Sequence, residues 1–122
     1  MIPTLFLAIG IVETNLDPNA VGDRGKSVGI VQISDVCLED VNRILKLQQS
    51  KIRYKPKDRY DIRKSLEIFR VYIGHYCHNG TFEDMARTWN GGPNWEDKPT
   101  RIKARTRRYW VRVRDELRKL RI

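Results

Sequence analysis

The chain has 122 residues, a formal net charge of +9 and two cysteines, which suits one domain able to bury a core without disulfide staples and leaves no room for a second catalytic domain. Its longest apolar run, residues 5–12, is eight residues, far short of the roughly 20 that a membrane helix needs, so no transmembrane segment is expected. The run has neither a basic flank nor a cleavage site and is not read as a signal peptide, so work outside a cytoplasm would need export supplied by something else. The charge is uneven: residues 1–100 carry 14 Lys and Arg against 13 Asp and Glu, and residues 101–122 carry 10 against 2. A local field of that sign draws anionic polymers, whether nucleic acid, anionic lipid or an envelope carrying carboxylates and phosphates; it is equally what a solvated amphipathic helix looks like.

A first helix is expected over residues 3–14, because Pro3 suits a first turn and the apolar run describes a buried helix. Glu13 lies near its end. Partial burial there disfavours the charged carboxylate and raises its pKa, leaving Glu13 able to carry a proton near neutral pH and donate it to a leaving oxygen. The following stretch, with Asp17, Pro18, Asn19, Gly22, Gly25 and Gly29, is a loop, and residues 28–33 form either a short strand or a tight turn. Over residues 35–48, Val36, Val41, Ile44, Leu45 and Leu47 keep a helical period behind Ser34 or Asp35 as cap. Residues 50–59 are polar and basic with Pro56, hence a loop. Leu66, Phe69, Ile73 and Tyr76 place a helix over residues 61–78. Thr81 with Asp84 resembles a capping box for a short helix ending near Trp89, which residues 90–93 then break.

The last helix, about residues 99–121, carries Ile102, Tyr109, Val113 and Leu120 along one side, with Trp110 and Leu117 beside them and arginines over most of the rest. The expected architecture is mainly α, five helices in a single domain over residues 1–122, with at most a very small β element. Cys37 and Cys77 fall on different helices, and both a disulfide and two small buried hydrophobes are open readings. His75, Cys77 and His78 match no usual zinc spacing. No metal or organic cofactor is expected.

Three separated segments share an order and spacing. The first is Glu13 with Asp17-Pro18-Asn19-Ala20-Val21 and Gly29-Ile30-Val31-Gln32-Ile33, the second is Ala86 with Trp89-Asn90-Gly91-Gly92-Pro93, and the third is Thr106-Arg107-Arg108-Tyr109-Trp110-Val111-Arg112-Val113. Together they resemble the soluble lytic transglycosylase and goose-type lysozyme family, whose members carry a catalytic Glu, an N-P-N-A-V loop, a G-L-M-Q-like turn, an A-Y-N-A-G-P segment and a late Tyr followed by Val. Trp89 stands where that family usually has Tyr, and Gly91 where it has Ala.

The resemblance implies a lysozyme-like fold and cleavage of the β-1,4 bond between N-acetylmuramic acid and N-acetylglucosamine in peptidoglycan. It makes Glu13 the acid and later the base, in keeping with the proton donor that an oxocarbenium-like transition state needs. Tyr109 would orient Glu13 or stabilise departing charge, Gln32 and Asn90 suit N-acetyl and hydroxyl groups, and Gly29, Gly91 and Gly92 let backbone approach a sugar. Trp89 offers a flat apolar face to a ring. Gln32, Asn90, Tyr109 and Trp89 each also have a plain packing or loop-locking role open to them.

Asp23 departs from the family, whose loop commonly has a small residue there. The segment from Asp23 to Ile33 also looks like that of invertebrate-type lysozymes, in which an Asp precedes a G-P-Y-Q-I turn, so Asp23 is either a second carboxylate serving a hydrolase or a turn former. Hydrolysis and intramolecular attack by the muramoyl 6-hydroxyl, giving a 1,6-anhydro product, both stay open, with the transglycosylase favoured. The expected partners are peptidoglycan glycan strands, with anionic envelope polymers on the basic last helix and no specific nucleic acid, and the expected state is a monomer acting at the bacterial wall. The rival readings are a chitinase-like glycosidase and a non-catalytic module that binds wall or anionic polymer on the same fold.

Overall fold

The apolar run near the start of the chain forms α1 (Ile2–Thr14), with Leu5, Ala8 and Ile9 fully buried, in a computed structural model that describes residues 1–77 and 79–120. Asn15 stops it in the left-handed conformation (φ 54°), its N–H bonding the Ile11 carbonyl while that of Leu16 bonds Gly10. These nested bonds, each one residue wider than in a Schellman end, take up two of the last helical carbonyls. They leave Glu13 on the last helical turn with the chain already turning away.

The ambiguity over residues 28–33 resolves into both alternatives. Three two-residue strands, β1 (Val21–Gly22), β2 (Ser27–Val28) and β3 (Ile33–Ser34), pair antiparallel in sequence order, with Val21 opposite Val28 and Val28 opposite Ile33. A tight turn through Gly29 and Gln32, at φ 89° and 57°, joins β2 to β3. Ser34 then caps α2 (Asp35–Leu47) by accepting the Cys37 N–H at 3.0 Å. Asp61 does the same for α3 (Ile62–Tyr76) through Lys64, and Thr81 for α4 (Phe82–Gly91) through Asp84. Only half of the expected capping box forms at α4, because the Asp84 carboxylate accepts from the Trp95 indole instead.

Three expectations need correction. The segment over residues 50–59 is not a plain polar loop: Pro56–Tyr60 is a 3-10 turn whose Asp58 and Arg59 are buried. Burial of the Arg59 charge is tolerable because it reaches the carbonyls of Pro56, Lys26 and Ile33 and the carboxylate of Asp35. α4 runs two residues beyond Trp89 and ends at Gly92 (φ 91°). On α5 (Thr100–Leu120), Leu120 is 40% exposed, and the inner stripe instead takes Thr106, whose hydroxyl bonds the Lys103 carbonyl and accepts from the guanidinium of Arg87. The expected helix ends at His78 and residue 121 lie outside the described residues, as does the His78 member of the zinc grouping.

The result is a mainly α single domain with a small three-stranded antiparallel sheet. α5 packs against α1 and α4, and α2 against α3, around Phe69, Leu5, Ile9 and Ile73. Cys37 and Cys77 are both free thiols, and burial pushes them up to about 12 and about 11. Among the described residues no helix is long and apolar enough to cross a membrane.

Candidate active site

Packing of α1 against α5 brings Glu13 and Tyr109 together, although 96 residues separate them: the Tyr109 hydroxyl donates to Glu13 Oε2 at 3.1 Å. Burial raises the Glu13 carboxyl from 4.5 to about 7; the Tyr109 hydrogen bond and the nearby Arg112 guanidinium pull it back down, and Asp23 adds a smaller upward push. Near neutral pH the group is therefore divided between its acid and base forms, as a residue that first gives and then takes a proton requires. Burial also drives the Tyr109 phenol well above its usual value, so it stays a neutral donor.

The turn bearing Gln32 is fastened beside this pair. Thr14, the residue after Glu13, donates its hydroxyl to the Ile30 carbonyl at 2.8 Å. Gln32 holds its left-handed conformation by donating its amide to the Ala20 and Gly29 carbonyls at 3.2 and 3.0 Å. Its amide nitrogen is thus a loop lock. Asp23, exposed and at φ 49°, accepts the Ser27 hydroxyl at 2.7 Å and so bridges the ends of the β1–β2 connection.

A cleft of about 690 Å³ runs from Gln32 between α2 and α4, and its lining includes Trp89, Asn90, Gly91, Gly92, Tyr72 and Tyr76. Glu13 is not among the lining residues; its neighbour Thr14 is bonded to the turn that carries Gln32. Trp89 is set edge-on against Phe69 and Tyr72, and its indole N–H donates to the Val31 carbonyl at 3.1 Å, tying α4 to the turn. Asn90 Oδ1 is buried without a hydrogen-bond partner. Asn90 lines the cleft, and this covered oxygen would meet a ligand N–H only after the side-chain amide turns outward.

The glycines divide. At Gly29 the close approach is to the Arg59 carbonyl, which a Cβ would strike, and at Gly91 it is to Thr106 on α5; in both places backbone meets protein. Gly92 borders the cleft, and a Cβ there would lie 3.2 Å from Lys98 Nζ.

Sequence reasoning passed over two groups. Arg112 acts on Glu13, and its position one turn after Tyr109 on the same helix face was the available signal. Across the cleft from Trp89, Arg43 donates to Asp40 at 2.8 Å, and Tyr76 receives from Arg43 and donates to Asp40. Although desolvation raises it, these hydrogen bonds hold the Asp40 carboxyl below its usual range. No local pattern advertised that cluster, because Tyr76 comes from α3.

No family model matches the chain, and no curated protein or solved structure matches it significantly.

Proposed function

We propose that this chain cleaves the β-1,4 bond between N-acetylmuramic acid and N-acetylglucosamine in peptidoglycan, with Glu13 as general acid and then base. The observation that carries the reading is the half-buried Glu13 carboxyl, raised to about 7 and held by the neutral hydroxyl of Tyr109. The proton of Glu13 passes to the glycosidic oxygen as the bond to the anomeric carbon breaks, leaving an oxocarbenium-like centre. The resulting carboxylate takes the proton of the attacking hydroxyl, and Tyr109 stabilises the charge that appears on Glu13 between the two steps.

The attacker favoured here is the muramoyl 6-hydroxyl, which gives a 1,6-anhydro end and needs one carboxylate. Asp23, the candidate for activating water, is exposed and already accepts the Ser27 hydroxyl. In the cleft that begins at Gln32, the Asn90 amide, once turned outward, suits an N-acetyl group, and Trp89 an apolar sugar face. Such a protein would act at the bacterial wall.

The test is digestion of purified peptidoglycan by wild type and Glu13→Gln, with the released muropeptides weighed by mass spectrometry. Products from wild type and none from the variant are expected, and masses short by one water identify the anhydro end. Cleavage of chitin oligomers without cleavage of walls would turn the reading to a chitinase-like glycosidase. No product from any glycan would leave a wall-binding or polyanion-binding module.

A further inference from the structure

We infer that Arg101, Arg105, Arg108 and Arg112 form a docking track on α5 for a linear phosphodiester polymer of the cell wall, which holds the glycan strand bearing that polymer beside Glu13. The wall and the glycan strand in this statement rest on the proposed function; the track for a phosphodiester polymer does not.

The four residues are spaced four, three and four apart, so at 100° per residue they lie within about 60° of one another around the helix. All are exposed, and they span about 16 Å of helix axis at about 1.5 Å per residue. Lys103 and Arg107 of α5 also have no carboxylate partner among the described residues, but they fall off this row; the cations beyond the row are paired. Towards the end of the helix Arg114 and Arg118 pair with Asp115, and Lys119 pairs with Glu116. Among the described residues no carboxylate lies within salt-bridge distance of any of the four, and Asp115 closes the row. Two of them are oriented by single hydrogen bonds to backbone: Arg105 to the Asn90 carbonyl at 3.1 Å and Arg112 to the Val12 carbonyl at 3.4 Å. Each keeps further N–H donors, which match phosphate oxygens in geometry and charge.

The two anchors give the track a direction. Arg105 meets the residue that borders the cleft, and Arg112 meets the residue before Glu13, so a polyanion along the row passes from the cleft end to the acid. The character of the face selects among polyanions. Leu120 is the only large apolar side chain of α5 that is substantially exposed among the described residues, and it lies beyond the row, so nothing within the row enters a bilayer. Tyr109 and Trp110 pack on the core, leaving no aromatic platform on the helix for bases to stack upon. A flexible strand of regularly spaced phosphates meets what is left: charge, spacing and a backbone-only footprint.

Occupation of the track also bears on the acid. Glu13 faces Tyr109 and Arg112 from α5 and Asp23 from the hairpin, and Arg112 is the cation that helps hold its carboxyl down. A phosphate on Arg112 cancels that pull, so Glu13 keeps its proton to higher pH when the polymer is bound.

The test is titration of fluorescently labelled poly(glycerol phosphate) into the full chain, followed by anisotropy over a salt series. The proteins are wild type, Glu13→Gln, the pair Arg101→Gln with Arg108→Gln, and the equally charged control Arg118→Gln with Lys119→Gln. The row variant is expected to bind about tenfold more weakly, with a log–log salt slope smaller by about 1.4 for two lost contacts. The control is expected to bind as wild type does, and Glu13→Gln to match wild type below pH 6 and to bind no more weakly above pH 7, where wild-type Glu13 is ionised. Equal weakening in the row variant and the control would reduce the track to net charge and overturn it. Tighter binding of duplex DNA or of anionic vesicles than of poly(glycerol phosphate) would overturn the choice of polymer. Row-specific binding by a wild type that releases no muropeptides would support the track while removing the glycosidase reading, so the two failures are told apart.

Discussion

The hydroxyl of Tyr109 donates to Oε2 of Glu13 at 3.1 Å and joins the last turn of α1 to the middle of α5. Burial lifts the Glu13 carboxyl, while this bond and Arg112 lower it, and the balance falls near neutral pH. Each of the opposing contributions can be removed by one substitution.

Tyr109→Phe keeps the buried ring and deletes the bond that favours the carboxylate. Glu13 then holds its proton above pH 7, and the alkaline limb of the pH–rate profile on peptidoglycan moves up. The rate at the optimum falls about tenfold, the worth of one hydrogen bond of roughly 1.4 kcal/mol to a charged group. A limb that stays in place would mean that the hydroxyl does not govern the acid.

Glu13 also makes stability depend on pH. Its folded pKa lies above its unfolded value, so the folded state binds more protons between 4.5 and about 7, and stability falls as pH rises through that window. Glu13→Gln removes the cost of ionising a buried group. Urea unfolding is expected to find the variant more stable than wild type by up to about 3 kcal/mol above pH 7. Below pH 4 the two should coincide. A variant less stable than wild type at high pH would contradict the burial of the carboxyl.

Gly29 and Gly25 share a positive φ, at 89° and 90°, and differ in surroundings. A Cβ at Gly25 meets open space, whereas one at Gly29 strikes the Arg59 carbonyl. Gly25→Ala should cost about 1 kcal/mol for the conformation alone. Gly29→Ala should cost roughly 1–3 kcal/mol more and loosen the Gln32 turn. Thermal unfolding of the two variants side by side reads the difference, and equal costs would argue against the close approach.

Trp89→Phe retains an aromatic ring against Phe69 and Tyr72 and withdraws the N–H from the fully buried Val31 carbonyl. An orphaned buried acceptor costs about 1–3 kcal/mol. A lowered denaturation midpoint is expected, together with a several-fold higher KM on glycan strands, since the ring also borders the cleft. An unchanged KM would confine Trp89 to packing.

Much of this architecture was readable from local pattern. The caps at Ser34, Asp61 and Thr81 and the periods of α2 and α3 are properties of neighbours in sequence, and capping and amphipathic burial act over three or four residues. Glu13 was legible for the same reason, as a carboxylate ending an apolar helix. The errors came where distant groups intervened. Arg59 sat in a stretch polar enough to read as loop, but its guanidinium donates to backbone carbonyls of two other segments, at Lys26 and Ile33. Leu120 kept the period of the inner stripe yet sits at the end of α5, 40% exposed.

The sequence by itself determined where helices begin, that positive charge gathers in the last of them, and that an acid closes the first, because each follows from residues within a turn or two of one another. It did not show that Val36 and Leu47, in the period of α2, are exposed. Tertiary structure decided that Arg112 tunes Glu13 together with Tyr109, the residue that the resemblance had already set beside it. It decided too that Gly29 and Gly91 yield space to Arg59 and Thr106, and that Cys37 and Cys77 remain apart as thiols. Those outcomes depend on the distance of approach between elements far apart in the chain, and that distance is set by how the whole core packs.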